Sequence, residues 1–302
     1  MDLTPGHVPV MLAEVLEHLK PRPGQTVLDG TAGGGGHAAV LLERIRPGGT
    51  LLLLDRDQET LERLIARFGR LGDVRYFHAN FRDFDQVLAE TGQERLHAAL
   101  LDLGLSSLQL DEADRGFSFD RPGPLDMRFD RSQDLSAEEI VNRWPAARMA
   151  DLFRDYGDQP FAGRIANAIV AARRLARLRR TDELAAIVTA AQPAAYRREL
   201  RIHPATRVFQ ALRMAVNEEV KSLEEFLDKI FRFLRPGGRV AIISFHSGED
   251  RVVKTRFRDA VGQGLATLPF VKPLTATPEE IAANPRSRSA RLRVAERTIL
   301  NS

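Results

Sequence analysis

Three aspartates stand where a buried strand would hand a carboxylate to a ligand. Asp29 closes "TVLD" (26–29), Asp55 closes "TLLLLD" (50–55), and Asp102 lies in "HAALLDLG" (97–104). Between the first two runs sits "DGTAGGGGH", Asp29 to His37, with four consecutive glycines. Fixing glycine costs chain entropy, so such a run needs a reason, and close approach of the backbone to a ligand is one. Gly33, Gly35 and Ala38 satisfy the G-x-G-x-x-G/A spacing. Asp55 follows at the distance, roughly 20 residues, at which an acid holds the ribose hydroxyls of a nucleotide cofactor. No Gly-Lys-Ser/Thr ends the loop, which excludes a Walker A phosphate cradle.

Two cofactor types share such a loop, and charge separates them. NAD places a pyrophosphate anion at the helix N-terminus, and Asp29 would oppose it. S-adenosylmethionine brings an ammonium and a sulfonium, which Asp29 and Asp102 both favour. The sign of the site therefore points to the methyl donor. An NAD-linked oxidoreductase, motivated by the glycine spacing, and a ligand-free tight turn remain as alternatives.

These residues need strands to carry them. "TLLLLD" is apolar throughout, as expected for a parallel strand covered on both faces. With "TVLD", "VRYFHAN" (74–80) and "HAALLDLG", and with helical spacing over 10–19, 37–46 and 57–68, the pattern is repeated βα. It predicts an α/β fold, a doubly wound, Rossmann-like parallel sheet. The pattern breaks after the fourth strand. "SAEEIVNRW" opens with a capping-box spacing, Ser136 to Glu139, and helical stretches follow near 146–156, 160–178 and 181–192. From Thr206 helical spacing runs to Leu234 and stops at "RPGG". "RVAIISF" (239–245) is again a buried strand, 248–261 a helix, and 290–300 a last strand. The expected organisation is one α/β domain formed by 1–110 and 206–302, with a mostly helical domain, 111–205, inserted into it.

Composition narrows the function classes. The 302 residues include no cysteine, which excludes disulfides, thiolate catalysis and cysteine-zinc sites. The seven histidines include no i, i+4 pair, and no metal site is expected. No apolar run reaches the ~18 residues of a membrane span, and "MDLTPGHVPV" does not read as a signal peptide. A cytoplasmic protein without membrane contact is expected. The net charge of +3 is unevenly spread. Residues 163–207 hold 10 Arg against 3 acids, and 284–302 hold 5 Arg against 1 Glu. Such clusters suit a polyanion, although the arginine bias also fits a solvated, salt-bridged surface.

Longer blocks are more specific than the glycine spacing. "HVPVML" (7–12), "DGTAGGGGH", "LLDLGLSSLQLD" (100–111), "RGFSF" (115–119), "GPLDMR" (123–128), "HPATRVFQALRMAVNEE" (203–219), "ISFHSGEDR" (243–251) and "NPRSRSARLRVAER" (284–297) occur in this order. With them the chain resembles the bacterial small-subunit ribosomal RNA cytosine N4-methyltransferases of the MraW type over nearly its full length. The resemblance implies a class I methyltransferase core with an inserted helical substrate-recognition domain. It implies S-adenosylmethionine as donor, and the N4 amine of a cytidine near the decoding site of 16S ribosomal RNA as acceptor. Small-subunit RNA is the implied partner; a homodimer is compatible with the sequence, which does not fix the oligomeric state. One departure is Gly248, where the family usually has leucine.

Carried over position by position, the resemblance assigns donor contacts to Gly35, Gly36, His37, Asp55, Phe81, Asp102 and Gln109. The N4 lone pair of cytosine is delocalised into the ring and is a poor nucleophile. A carboxylate at Asp102 that accepts a hydrogen bond from the amine would favour its pyramidal form and ease loss of the proton. His246 is the second catalytic candidate, to hold the base or relay a proton; a structural histidine is the alternative. "DLGLSS" lacks the aromatic that related amino-methyltransferases carry after strand four. Phe117, Phe119 and Phe245 are therefore candidates to stack the base, each with a place in the core as its alternative. "ARRLARLRR" (172–180), Arg197, Arg198 and Arg201 are candidates for RNA phosphates.

Overall fold

A computed structural model describes residues 9–69 and 71–299. His7 and Val8 of the first motif and Leu300 of the expected last strand lie outside the described residues. The chain divides into two units, Met1–Gly104 with Val220–Ser302, and Leu105–Glu219.

The first unit is built on a mixed sheet. Its strands are β1 (Thr26–Asp29), β2 (Thr50–Asp55), β3 (Val74–His78), β4 (Leu96–Asp102), β5 (Leu234–Ser244), β6 (Ala266–Thr267), β7 (Leu274–Thr275) and β8 (Arg291–Arg297). The order is β3-β2-β1-β4-β5-β8-β6, and β7 also pairs with β8. β1 to β5 run parallel; β8 returns antiparallel to β5, and β6 and β7 are antiparallel to β8. The all-apolar composition of β2 has its expected cause. Leu51 and Leu53 point into one apolar layer with Val27, Leu100 and Ile243; Leu52 and Leu54 point into the other with Leu28, Leu101 and Ile242. Strand alternation thus feeds two cores, one on each face of the sheet.

Because β1 to β5 are parallel, their C-terminal ends share one edge. β1 sits between β2 and β4, so the connection leaving it turns to one side of the sheet and the later strands build on the other. Ligands of open α/β sheets bind outside the strand ends at this reversal.

The second unit is mostly helical: Ser107–Asp111, Ala137–Arg143, Ala146–Asp155, Ala162–Leu175, Thr181–Ala190, Ala194–Glu199 and Thr206–Val216. Its core includes Ile140, Phe153, Ile165, Leu184, Val208 and Leu212. It is wider than the expected 111–205. The helix Thr206–Val216 belongs to it because Val208, Phe209 and Leu212 pack into its core rather than under the sheet.

Three further expectations are corrected. The helical pattern from Thr206 to Leu234 is two helices, Thr206–Val216 and Glu219–Phe233. Asn217 is fully buried, donating to the carbonyls of Met127 (2.7 Å) and Arg213 (2.9 Å) and accepting from Phe129 N–H (2.8 Å). Glu218 follows with φ 49°, which no continuing helix allows. The "RPGG" segment does not separate helix from strand but lies inside β5. Leu96 pairs with Leu234 and Ala98 with Arg239, so the segment bulges out of the ladder, with Gly237 at φ 76°. The Ser136 hydroxyl does accept from Glu139 N–H (3.3 Å), but the Glu139 carboxylate turns to Arg143 (2.8 Å) and Arg177 (3.2 Å).

Candidate active site

The glycine loop is held by the strand ends on either side of it. Gly30 N–H donates to the carbonyl of Leu100 in β4 (3.0 Å), and Ala32 N–H to Leu54 in β2 (3.0 Å). Gly33, at φ 47°, turns its N–H onto Asp55 Oδ2 (2.9 Å), while Asp55 Oδ1 accepts from Asp57 N–H (2.9 Å). The acid that ends β2 is thereby fixed in orientation by backbone donors. Gly35, at φ 74°, caps the helix Gly36–Ile45. A Cβ on Gly35 would stand 2.5 Å from Leu64 Cδ2, and one on Gly36 would stand 2.5 Å from Pro9 Cγ. Both glycines are needed for packing, quite apart from any ligand.

Two residues here have roles that residue order does not reveal. Gly30 leaves no room for a side chain: a Cβ would meet Leu101 Cδ2 at 2.5 Å and Phe81 Cβ at 3.0 Å. Thr31 bridges two acids, its N–H donating to Asp29 Oδ1 (3.2 Å) and its hydroxyl accepting from Asp102 N–H (2.6 Å). The one available signal was their place directly after a strand-ending acid.

The electrostatics are set by burial. Asp29 is buried, and burial pushes its carboxyl up to about 7; the Thr31 N–H pulls the other way and the Asp55 charge adds to the rise. Burial raises Asp55 to about 6 against the hydrogen bonds it accepts from Asp57 and Gly33. Asp102 is raised furthest, to about 8, by burial and then by the charges of Asp29 and Glu249. Its side chain retains 26% exposure, yet Oδ1 is sealed and makes no hydrogen bond. Buried acceptors are ordinarily satisfied. Burial thus holds three carboxyls at the strand ends above their ordinary range, and one of their oxygens goes unsatisfied.

His37 takes its side chain away from this role. It is buried, with Nε2 3.0 Å from the Val10 carbonyl, so Nε2 carries the proton and donates. Nδ1 faces Asp102 Oδ2 at 3.6 Å. A ligand contact from His37 therefore falls to its backbone, in the first turn of the helix, where N–H groups point out of the helix end. Phe81 opens a short 3₁₀ turn after β3, half-buried beside Gly30, its ring edge-on to Phe226 at 5.8 Å.

His246 caps the helix Ser247–Gly262. Its Nδ1 accepts from Glu249 N–H (3.3 Å), so the neutral ring carries its proton on Nε2. Nε2 lies 3.1 Å from Glu249 Oε1, in a direction that makes no hydrogen bond. The buried Glu249 accepts from Phe245 N–H (2.9 Å). Glu249 went unremarked in the sequence, although it stands inside "SFHSGEDR". Gly248 bears on the same histidine: a Cβ there would sit 3.1 Å from His246 Nδ1. Among the stacking candidates, Phe245 is half-buried next to Gly104, where a Cβ would stand 3.6 Å from its ring.

The first unit thus brings Asp29, Gly35, Gly36, His37, Asp55, Phe81, Asp102 and His246 onto the strand-end edge. Gln109 belongs to the second unit. There its side-chain carbonyl accepts from Ser106 N–H (3.1 Å) while the Ser106 hydroxyl accepts from Gln109 N–H (3.2 Å), a reciprocal cap. Also in that unit, Phe117 is buried against Phe129, and Phe119 stacks on His203 at 4.4 Å. Of its arginines, Arg173 is used internally on the Val141 and Trp144 carbonyls, and Arg177 pairs with Glu138. Arg174, Arg179, Arg197, Arg198 and Arg201 are exposed.

Among the described residues no helix is long and apolar enough to cross a membrane. Residues 4–298 match the model of the MraW methylase family. Ribosomal RNA small subunit methyltransferase H of Nitratidesulfovibrio vulgaris strain Miyazaki F is 50% identical, covering 96% of this chain and 85% of the relative. The protein of the same name from Pelobacter propionicus is 48% identical, covering 96% and 98%. An rRNA methylase structure from Streptococcus thermophilus aligns with 95% of this chain and 92% of its own, at 14% identity and a TM-score of 0.43. The chain belongs to the MraW methylase family.

Proposed function

We propose that this protein transfers a methyl group from S-adenosylmethionine to the N4 amine of a cytidine in small-subunit ribosomal RNA, near the decoding site, in the cytoplasm. Membership of the family and the names of its relatives support the methyl transfer and the RNA class. The observation that carries the chemistry is the set of raised carboxyls at the ends of β1, β2 and β4, with Asp102 Oδ1 buried and unsatisfied. An anionic pyrophosphate would be repelled by that set. A cationic sulfonium and ammonium would be attracted, so the residues present fit the donor.

In this reading Asp55, oriented by Gly33 and Asp57, accepts from the ribose hydroxyls. Gly35, Gly36 and the backbone of His37 border the donor's amino-acid end, and Phe81 offers an apolar wall to the adenine. The donor, when bound, would supply an electrophilic methyl, its S–C bond breaking to leave the neutral thioether. Asp102 accepts a hydrogen bond from the N4 amine, aligns its lone pair with that methyl and takes the proton released as the N–C bond forms. His246, held at the start of its helix beside Glu249, is the second catalytic candidate, to hold the base or relay a proton, and Phe245 lies alongside. The exposed arginines of the second unit contribute to RNA contacts. The relatives' names give no support to a homodimer, and the proposal includes none.

The decisive experiment is transfer of tritium from labelled S-adenosylmethionine to small ribosomal subunits that lack the modification, followed by nucleoside analysis. Label on N4-methylcytidine is expected. Label at C5 of cytosine or N6 of adenine would overturn the assignment. Calorimetric binding of NAD, without binding of the methyl donor, would overturn the cofactor.

A further inference from the structure

The helix Ser247–Gly262 begins at His246 and leads away from the strand-end site. At ~1.5 Å per residue it runs about 24 Å. Its faces differ in charge. Glu249, Asp250, Val253, Phe257 and Ala260 are buried, and Asp250 is tied to Arg293 through Nε (2.6 Å) and Nη2 (3.2 Å). Arg256 pairs with Glu224 (3.4 Å) and Asp228 (3.2 Å). The opposite face carries Arg251, Lys254 and Arg258, three and four residues apart and therefore one above another. All three are exposed, and none has a carboxylate within salt-bridge distance among the described residues.

A groove opens beside this stripe. Its lining includes Lys254 and Arg258 together with Leu268, Phe270, Val271 and Arg293. Val271 is 67% exposed. Phe270 is only partly buried, its ring edge-on to His18 at 4.9 Å. Uncompensated cations spaced along a helix, above an apolar and aromatic strip, match a single nucleic-acid strand: phosphates meet the cations while a base or ribose lies on the apolar side. Nothing in the donor or amine chemistry uses this face.

We propose that this groove is a docking rail for the backbone of the substrate RNA, with Lys254 and Arg258 on successive phosphates and Phe270 and Val271 under the adjoining nucleotide. The proposal rests on the reading of the protein as an RNA methyltransferase and adds to it a binding surface on the first unit. Since the helix starts at His246, a strand on the rail has one end beside the reacting carboxylate.

The test uses the full chain, with Lys254→Glu and Arg258→Glu combined, and a second variant, Val271→Asp, that leaves the helix intact. Fluorescence anisotropy with a labelled oligocytidylate 20-mer is read from about 50 to 300 mM salt. Loss of two single-strand phosphate contacts is expected to reduce the slope of log affinity against log salt by about 1.4, at ~0.7 per contact. The double variant is expected to bind at least ~10-fold more weakly near 0.1 M salt, and Val271→Asp also to bind more weakly, while calorimetric affinity for S-adenosylmethionine stays within twofold. Unchanged oligonucleotide affinity and slope in the double variant would overturn the rail, as would failure of the wild-type chain to bind the oligonucleotide; an acidic protein partner would give the same null result. If the wild type binds the oligonucleotide through these residues but transfers no methyl group to small subunits, the rail stands and the proposed reaction falls.

Discussion

The backbone N–H of Asp102, at the end of β4, donates to the hydroxyl of Thr31 in the glycine loop, 2.6 Å away. The loop that would border the donor and the carboxylate that would receive the amine proton are thus one hydrogen-bonded unit. Thr31 also donates its own N–H to Asp29 (3.2 Å), so a single residue links the acids of β1 and β4. Replacement of Thr31 by Val keeps shape and branching but leaves the Asp102 N–H without its acceptor. An unmade buried hydrogen bond costs about 1–3 kcal/mol. Thr31→Val is expected to lower kcat by about 10-fold or more with little change in KM for RNA, and Thr31→Ser to restore most of it. Steady-state kinetics on small subunits checks the split; equal activity of all three proteins would remove the link from the mechanism.

Asp102 itself is placed to accept from the amine. Asn at this position preserves size and offers one acceptor oxygen, but it cannot take up the proton. General-base contributions are typically 10²–10⁴-fold. Asp102→Asn is expected to reduce single-turnover methyl transfer by at least ~10²-fold, and Asp102→Ala to abolish it, with both proteins still folded by circular dichroism. Full activity in Asp102→Ala would exclude the residue.

The raised carboxyls give the protein a pH signature of definite sign. Asp29 and Asp102 hold protons up to about 7 and about 8 in the folded chain, against 3.8 for an ordinary aspartate. Between those values these two groups bind more protons in the folded than in the unfolded state, so the stability they contribute falls as pH rises from about 4 to 8. A cationic ligand favours the charged carboxylates and opposes this loss. The melting temperature without ligand is therefore expected to be lower at pH 8.5 than at pH 6. The upward shift caused by S-adenosylmethionine is expected to be larger at the higher pH. Thermal melts at constant ionic strength measure both; a donor-induced shift that shrinks with rising pH would contradict the charge assignment.

Much of this arrangement can be read from residue order, and what cannot has physical causes. An all-apolar strand such as β2 announces burial on both faces, and an acid at its end is visible from spacing alone. The bulge in β5 is not, because "RPGG" carries every local signal of a turn and only pairing with Leu96 and Ala98 keeps it in the ladder. The break at Asn217 is likewise tertiary: its side chain is committed to Met127 and Phe129, about 90 residues earlier. Helical spacing continues on both sides, so periodicity shows no interruption. Within the site, Asp29, Asp55 and Asp102 stand out by position. The roles of Thr31 and Glu249 do not, since one depends on a contact across 71 residues and the other on burial beside Asp102.

The last prediction separates the glycines by what surrounds them. Gly35 has φ 74°, and a Cβ there would approach Leu64 Cδ2 to 2.5 Å and the Phe68 ring to 3.0 Å. Alanine at this position must strain the backbone and push the Leu64 and Phe68 side chains aside, costs of about 1–3 kcal/mol each. Gly72 lies outside the left-handed region, and a Cβ there would meet nothing within 4 Å. Gly35→Ala is expected to lower stability by at least ~2 kcal/mol and to weaken donor binding together with it, because the displaced loop also carries the N–H that orients Asp55. Gly72→Ala is expected to stay within about 0.5 kcal/mol of the parent. Urea unfolding and calorimetry on both variants measure this contrast. A Gly35→Ala protein with parental stability and donor affinity would show that the loop tolerates a side chain at its tightest turn, and that the glycine run is not there for packing.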